Sequence, residues 1–148
     1  MDAEFNLSTD YNQFTVSDST ADFADLWEKW TDETIESMFV QGDRYIAVGT
    51  ARNFNAPVLI RLDSERSFSG SVDRVMTGTL EVPSGLVEVS GPTDNGMSGG
   101  KVEVPPGTYQ VEVQYFNLES IDDDGIEGDD RYMVTLSQTG QQTTTAAG

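Results

Sequence analysis

Apolar and polar residues alternate with a period of two through most of the chain. The clearest case is Thr108–Phe116, where Tyr109, Val111, Val113 and Tyr115 fall on one face and Gln110, Glu112 and Gln114 on the other. That is the signature of a half-buried antiparallel strand. Similar alternation runs over Tyr11–Val16, Arg44–Val48, Pro57–Leu62, Val72–Val82, Leu86–Val89, Lys101–Val104 and Arg131–Leu136, punctuated by Gly, Pro, Asn and Asp. About eight such strands predict a mainly β fold, an antiparallel two-sheet β-sandwich. The stretch Gly91–Gly100, with its glycines and an Asn95-Gly96 step, joins two of them and is expected to be a mobile hairpin tip.

One segment breaks the alternation. Residues Asp32–Gln41 predict a single short α-helix, with Thr31 as N-cap, Asp32, Glu33 and Glu36 near the positive end of the dipole, and Gly42 as C-cap. Its apolar face would be Ile35, Met38 and Phe39, and Trp30 with Ile35 would form a hydrophobic staple across the cap. On this reading Trp27 and Trp30 are structural. Residues 1–10 are an N-terminal segment, residues 11–137 one domain, and residues 138–148, polar and without period, a disordered tail. No internal repeat is visible.

Composition narrows the chemistry. A chain of 148 residues is long enough to bury roughly 68–70% of its unfolded surface as one domain. It contains no His and no Cys, which removes Ser-His-Asp and Cys-His catalysis, imidazole or thiolate zinc sites, and disulfides. What remains is carboxylate chemistry or an all-oxygen site for a hard cation. The acids stand in turns and helix starts rich in Ser, Thr and Gly and not in apolar pockets that raise a carboxyl pKa, so the chain does not read as an enzyme and no cofactor is expected. Eight Lys and Arg against 26 Asp and Glu give a formal net charge of -18. Such a field disfavours direct contact with nucleic acid or an anionic membrane and favours cations or basic protein surfaces. No apolar run approaches a signal-peptide core of about 7–15 residues or a span of about 18, and Met1–Leu7 carries no basic residues. The expectation is a soluble, cytoplasmic protein.

The densest acidic feature is residues 119–130, where Glu119, Asp122, Asp123, Asp124, Glu127, Asp129 and Asp130 precede Arg131 without a single cation between them. It lies between the last two strands and should be an exposed connection. Three readings are open: a calcium loop, though the spacing is not the twelve-residue EF-hand pattern; a solvated hairpin; or a contact surface for a basic groove. The helix start, with Asp32, Glu33 and Glu36, follows Asp18, Asp22, Asp25 and Glu28, and eleven of the 26 acids fall in residues 1–43 against one base, Lys29. If that segment and the 119–130 connection shared one side of the sandwich, their carboxylates would imitate the phosphates of a DNA strand.

The order of segments carries a resemblance. Tyr11-Asn12-Gln13-Phe14-Thr15-Val16, then Trp30-Thr31-Asp32-Glu33-Thr34-Ile35-Glu36, then Arg44–Val48 with Ala51-Arg52-Asn53, then Val58–Asp63, and finally Val104-Pro105-Pro106-Gly107-Thr108-Tyr109-Gln110-Val111 resemble the competence protein J family, inhibitors of the DNA-entry nuclease. The Trp-Thr-Asp-Glu-x-Ile stretch is the most specific part. The chain departs from the family pattern at Asp22–Glu28, in the acidic 119–130 connection and after Gln138. The resemblance implies a small cytoplasmic protein that binds and blocks a non-specific, metal-dependent endonuclease, and it brings no residue-level inhibitory motif with it. The charge pattern supplies the candidate contact residues: Asp122, Asp123, Asp124, Glu127, Asp129 and Asp130 on the connection, and Asp32, Glu33 and Glu36 on the helix. The partner expected is a basic endonuclease. The alternative is a Ca²⁺-binding sandwich module that uses the acidic connection.

Overall fold

The structure, a computed structural model, describes residues 2–9, 12–51, 55–63, 65–91, 99–121 and 128–138. Along the chain the elements are β1 (Asp2–Ser8), β2 (Gln13–Asp18), α1 (Leu26–Lys29), α2 (Asp32–Ser37), β3 (Phe39–Gln41), β4 (Tyr45–Gly49), β5 (Asn55–Leu62), β6 (Val72–Val82), β7 (Leu86–Ser90), β8 (Gly100–Glu103), β9 (Gly107–Phe116), one 3-10 turn (Leu118–Ser120) and β10 (Arg131–Gln138). The strands form two five-stranded sheets, ordered β1-β5-β10-β9-β6 and β3-β4-β2-β7-β8. Every strand pair is antiparallel except β5 with β10, which run parallel.

The eight strands read from the alternation are present, as β2 and β4 to β10, and two more join them. In β1, Ala3, Phe5 and Leu7 pack against the core while Asp2, Glu4 and Asn6 face out, and the strand pairs with β5 along its whole length. Residues 1–10 are thus not a segment apart from the sandwich over this stretch. The second addition, β3, corrects the helix. α2 ends at Ser37, and Met38, at φ 62°, caps it in the left-handed region with its N–H on the carbonyls of Ile35 and Thr34. Phe39, Val40 and Gln41 then pair with Val48, Ala47 and Ile46 of β4, and these sheet bonds outweigh the helical propensity of the segment. Gly42 is therefore not a helix cap. Its N–H closes the β3–β4 turn on the Tyr45 carbonyl, 2.9 Å away. The Thr31 cap is as expected, completed by Thr34 as a capping box.

The core lies between the sheets and is built from the inward side of each alternating strand: Phe14, Val16, Ile46, Val48, Val58, Ile60, Val113 and Val134 are among its members. Each side chain of that size buried from water contributes about 1.5–3 kcal/mol. The outer face of the second sheet is also covered over β3 and β4. Residues 19–31 cross it as a strap, placing Leu26, Ala21 and Trp30 on Val40, Tyr45 and Ala47, which explains why β4 is buried on both faces. At the seam between the sheets, the Gln41 side chain bonds both backbone groups of Thr79 on edge strand β6, at 2.7 and 2.8 Å. Gly78 permits this approach, since a Cβ there would stand 2.5 Å from Gln41 Oε1 and 2.8 Å from Phe39 Cζ. The hairpin predicted between β7 and β8 is formed, and its tip, residues 92–98, lies outside the described residues, as do Tyr11 and the tail from residue 139.

A candidate partner-binding end of the sandwich

Strand register decides where the acidic segments lie. Gln13, at the start of β2, pairs with Gly49 at the end of β4, and Phe39, at the start of β3, pairs with Val48. α2 stops one residue before β3 and so sits at the Gly49 end of the sandwich. Three bonds from the other sheet reach the same place. The Tyr115 hydroxyl donates to the Met38 carbonyl at 2.5 Å, Arg74 Nη1 donates to the Glu36 carbonyl at 2.6 Å, and the Ala51 N–H donates to the Tyr132 hydroxyl at 2.8 Å. Tyr115 is the last residue but one of β9 and Tyr132 the second of β10. The acidic connection therefore leaves and re-enters the fold at the end that carries α2.

The contact residues read from sequence divide into three groups. Asp32, Glu33 and Glu36 are exposed on α2. Asp122, Asp123, Asp124 and Glu127 lie outside the described residues. At the foot of the connection Asp129 is exposed, 3.0 Å from Arg131 Nη2, and Glu119 is exposed nearby on the 3-10 turn. Asp130 is a correction. It is fully buried, where the Tyr132 hydroxyl donates to its Oδ2 at 2.5 Å, so it belongs to the interior and not to the acidic surface. Through Tyr132 it helps to hold the Ala51 backbone, and the Tyr132 ring stands edge-on to Phe14 and Tyr115 at 5.8 Å.

Three of the acids that precede α2, Asp18, Asp22 and Asp25, are structural. Asp18, at the opposite end of β2, is buried; burial alone would raise its pKa, but bonds from the Ser84 and Thr20 hydroxyls and N–H groups hold it below the ordinary carboxylate value. Asp25 is also pulled down, first by the Tyr45 hydroxyl at 2.9 Å and then by the charge of Lys29. Tyr45 in turn is pushed up, by burial and then by Asp25. Asp22 accepts the Ala24 N–H at 2.9 Å. These bonds pin the strap that delivers Trp30 and α2 to the far end. Among the described residues, no three acidic side chains converge as they would around a metal ion.

Beside α2 opens a pocket of about 540 Å³ that sequence reasoning missed. Trp30, Ile35 and Met38 line it from the helical segment, and Asn12–Gln13 and Gly49–Thr50 from the ends of β2 and β4. Its frame is well bonded. Trp30 Nε1 donates to Gln13 Oε1 at 2.8 Å, Asn12 Nδ2 to the Thr50 carbonyl at 3.2 Å, and the Gly49 N–H to the Met38 carbonyl at 2.8 Å. Asn12 and Met38 both take left-handed backbone conformations there. Trp30 and Ile35, expected as a staple, share this pocket, yet Ile35 remains 60% exposed. The available signal was an isoleucine on a helix whose other residues are all polar.

The model of the family Competence protein J (ComJ) matches residues 6–138. The chain belongs to the ComJ family. A curated relative, the DNA-entry nuclease inhibitor of Bacillus subtilis (strain 168), is 32% identical over 107 residues, covering 71% of this chain and 75% of that protein. The crystal structure of ComJ from Bacillus subtilis, described as an inhibitor of the DNA degrading activity of NucA, superposes with a TM-score of 0.69 at 24% identity, over 94% of this chain and 96% of the other. A second solved structure, named Crocagin biosynthetic gene J, gives a TM-score of 0.57 at 14% identity over 94% and 97%. Both structural likenesses concern the ComJ fold. The Bacillus subtilis relatives are named for inhibition and not for catalysis, in line with a ComJ-family chain that lacks the residues of most hydrolases.

Proposed function

We propose that this protein inhibits a non-specific, metal-dependent DNA endonuclease by seating the acidic end of its sandwich in the nuclease's DNA-binding groove. The observation that carries the reading is the placement of Asp32, Glu33 and Glu36 at the same end as both feet of the 117–130 connection. A groove that holds phosphates is basic, and a rigid body presenting carboxylates competes for it while long-range attraction speeds encounter. Membership of the ComJ family and the inhibitor names of its Bacillus subtilis relatives support the class of activity. Scaffold stiffness suits the task, because the carbonyls of Glu36 and Met38 at the end of α2 are held by Arg74 and Tyr115 of the first sheet and by the Gly49 N–H of the second, so the helix loses little freedom on binding.

The test uses the protein as bait in extract of its own cells at low salt, followed by a DNA-degradation assay on the retained fraction. The expected result is a retained nuclease whose activity falls to background near one equivalent of added protein. Retention of no DNA-degrading activity at low salt, where charge attraction is least screened, overturns the reading.

A further inference from the structure

We propose that the pocket beside α2 receives an arginine side chain from the nuclease and is the energetic anchor of the complex. The inference rests on the inhibitor reading and deepens it by naming the group the surface binds. The acids of this end explain attraction but supply no fixed point, since exposed ion pairs contribute little each. The pocket supplies one. Its chemistry is that of a site for a long cationic side chain. Trp30 offers an aromatic surface for a guanidinium and Ile35 and Met38 offer apolar contact for an alkyl stem, while Asp32, exposed on α2 outside the lining, stands three residues before Ile35, placed to meet a charged head at the pocket's mouth. The indole N–H is already bonded to Gln13, so the ring is fixed in place before a partner arrives. Arginine fits better than lysine because its planar head stacks on a ring and pairs with a carboxylate at once. The surrounding charge also selects the occupant: a chain of net charge -18 with a single base in its first 43 residues disfavours an acidic group here. A buried aromatic and arginine pairing is the usual composition of an interface hot spot.

Two measurements separate this inference from the inhibitor reading. The first needs no nuclease: N-acetyl-arginine amide is titrated at millimolar concentration into the isotope-labelled protein, with N-acetyl-leucine amide as comparison. Saturable shifts of the Trp30 indole N–H and the Ile35 methyls with the arginine compound, weakened in Asp32→Asn, are expected. No shift at these groups, or equal shifts with the leucine compound, overturns the arginine assignment. The second titrates NucA-type DNA degradation with Ile35→Glu and Ile35→Val. Ile35 is exposed, so neither change disturbs the core. Ile35→Glu adds a negative charge, and a surface acting by charge alone would inhibit as well or better. The anchor account expects the concentration for half-inhibition to rise at least tenfold with Ile35→Glu and to stay within about twofold with Ile35→Val. Inhibition by Ile35→Glu equal to wild type overturns the anchor while leaving the inhibitor reading intact; absence of inhibition by the wild type overturns both.

Discussion

Replacing Asp32, Glu33 and Glu36 together by lysine is expected to slow association with the nuclease by about 100-fold at low ionic strength and to flatten its salt dependence, because steering of this kind is worth about 10–10³ in rate. All three side chains are exposed on α2, and no bond from them holds the helix to the sheets; those bonds run to the backbone carbonyls of Glu36 and Met38. The fold should persist. Some helix stability is lost, since acids at the first turn complement the dipole by about 0.3–1 kcal/mol each. The control reverses Asp43, Glu81 and Glu103, exposed acids at the opposite end, where β3 turns into β4, β6 ends and β7 pairs with the end of β8. That variant carries the same net charge, and at physiological salt, where charges beyond a Debye length of about 8 Å are screened, it should associate within about threefold of wild type while the α2 variant remains the slower of the two. Stopped-flow association at several salt concentrations distinguishes the two. Equal slowing by both variants would assign the effect to net charge and not to the α2 end.

Asp18→Ala is expected to lower stability by about 3 kcal/mol, and the melting temperature by about 10 °C for a chain of this size. The carboxylate, itself buried, accepts the Thr20 N–H at 2.9 Å, the Thr20 hydroxyl, the Ser84 N–H at 3.1 Å and the Ser84 hydroxyl at 2.6 Å. Truncation leaves those donors without their acceptor and frees the start of the strap from the β6–β7 turn. The pH dependence follows from the direction of the shift. The folded pKa lies below the ordinary carboxylate value, so the contribution of Asp18 is complete above the unfolded value and is lost as pH falls through the folded one. Thermal unfolding of wild type and variant should therefore differ most above the ordinary carboxylate range and converge as the pH falls below it. An unchanged melting temperature at pH 7 would show that the bonds do not hold the strap.

Much of the fold was legible because period-two alternation is a direct image of a half-buried strand; β9 reads from its sequence almost residue by residue. β1 carried the same signal in Ala3, Phe5 and Leu7, but its acids and its position at the terminus masked it. β3 had no such image. Three residues are too few for a period, and Phe39 faces the core while Val40 faces the strap, so the run is apolar on both sides. The early end of α2 follows from a left-handed Met38, a conformation that only the competing β3–β4 pairing makes worthwhile. The candidate site was legible in its charge and illegible in its geometry. Composition marks residues 32–36 and 119–130 as acidic, but that α2 shares one end with the two feet of the later segment depends on strand order and on Tyr115 and Arg74 reaching across the seam. Asp130 looks like its neighbours in sequence, yet its place one residue before β10 turns it inward to Tyr132. The pocket has no image in the sequence because its residues are scattered over three segments, Asn12–Gln13, residues 30–38 and Gly49–Thr50.

On the proposed mechanism this protein and DNA compete for one surface of the nuclease. Fluorescence anisotropy of a labelled duplex held by the nuclease, under conditions in which the duplex is not cut, measures this directly. Addition of the protein is expected to return the anisotropy to that of free duplex near one equivalent, with the duplex shifting the apparent affinity of the protein in the same proportion. A duplex that stays bound while the nuclease is fully inhibited, in a complex of all three components, would contradict the account.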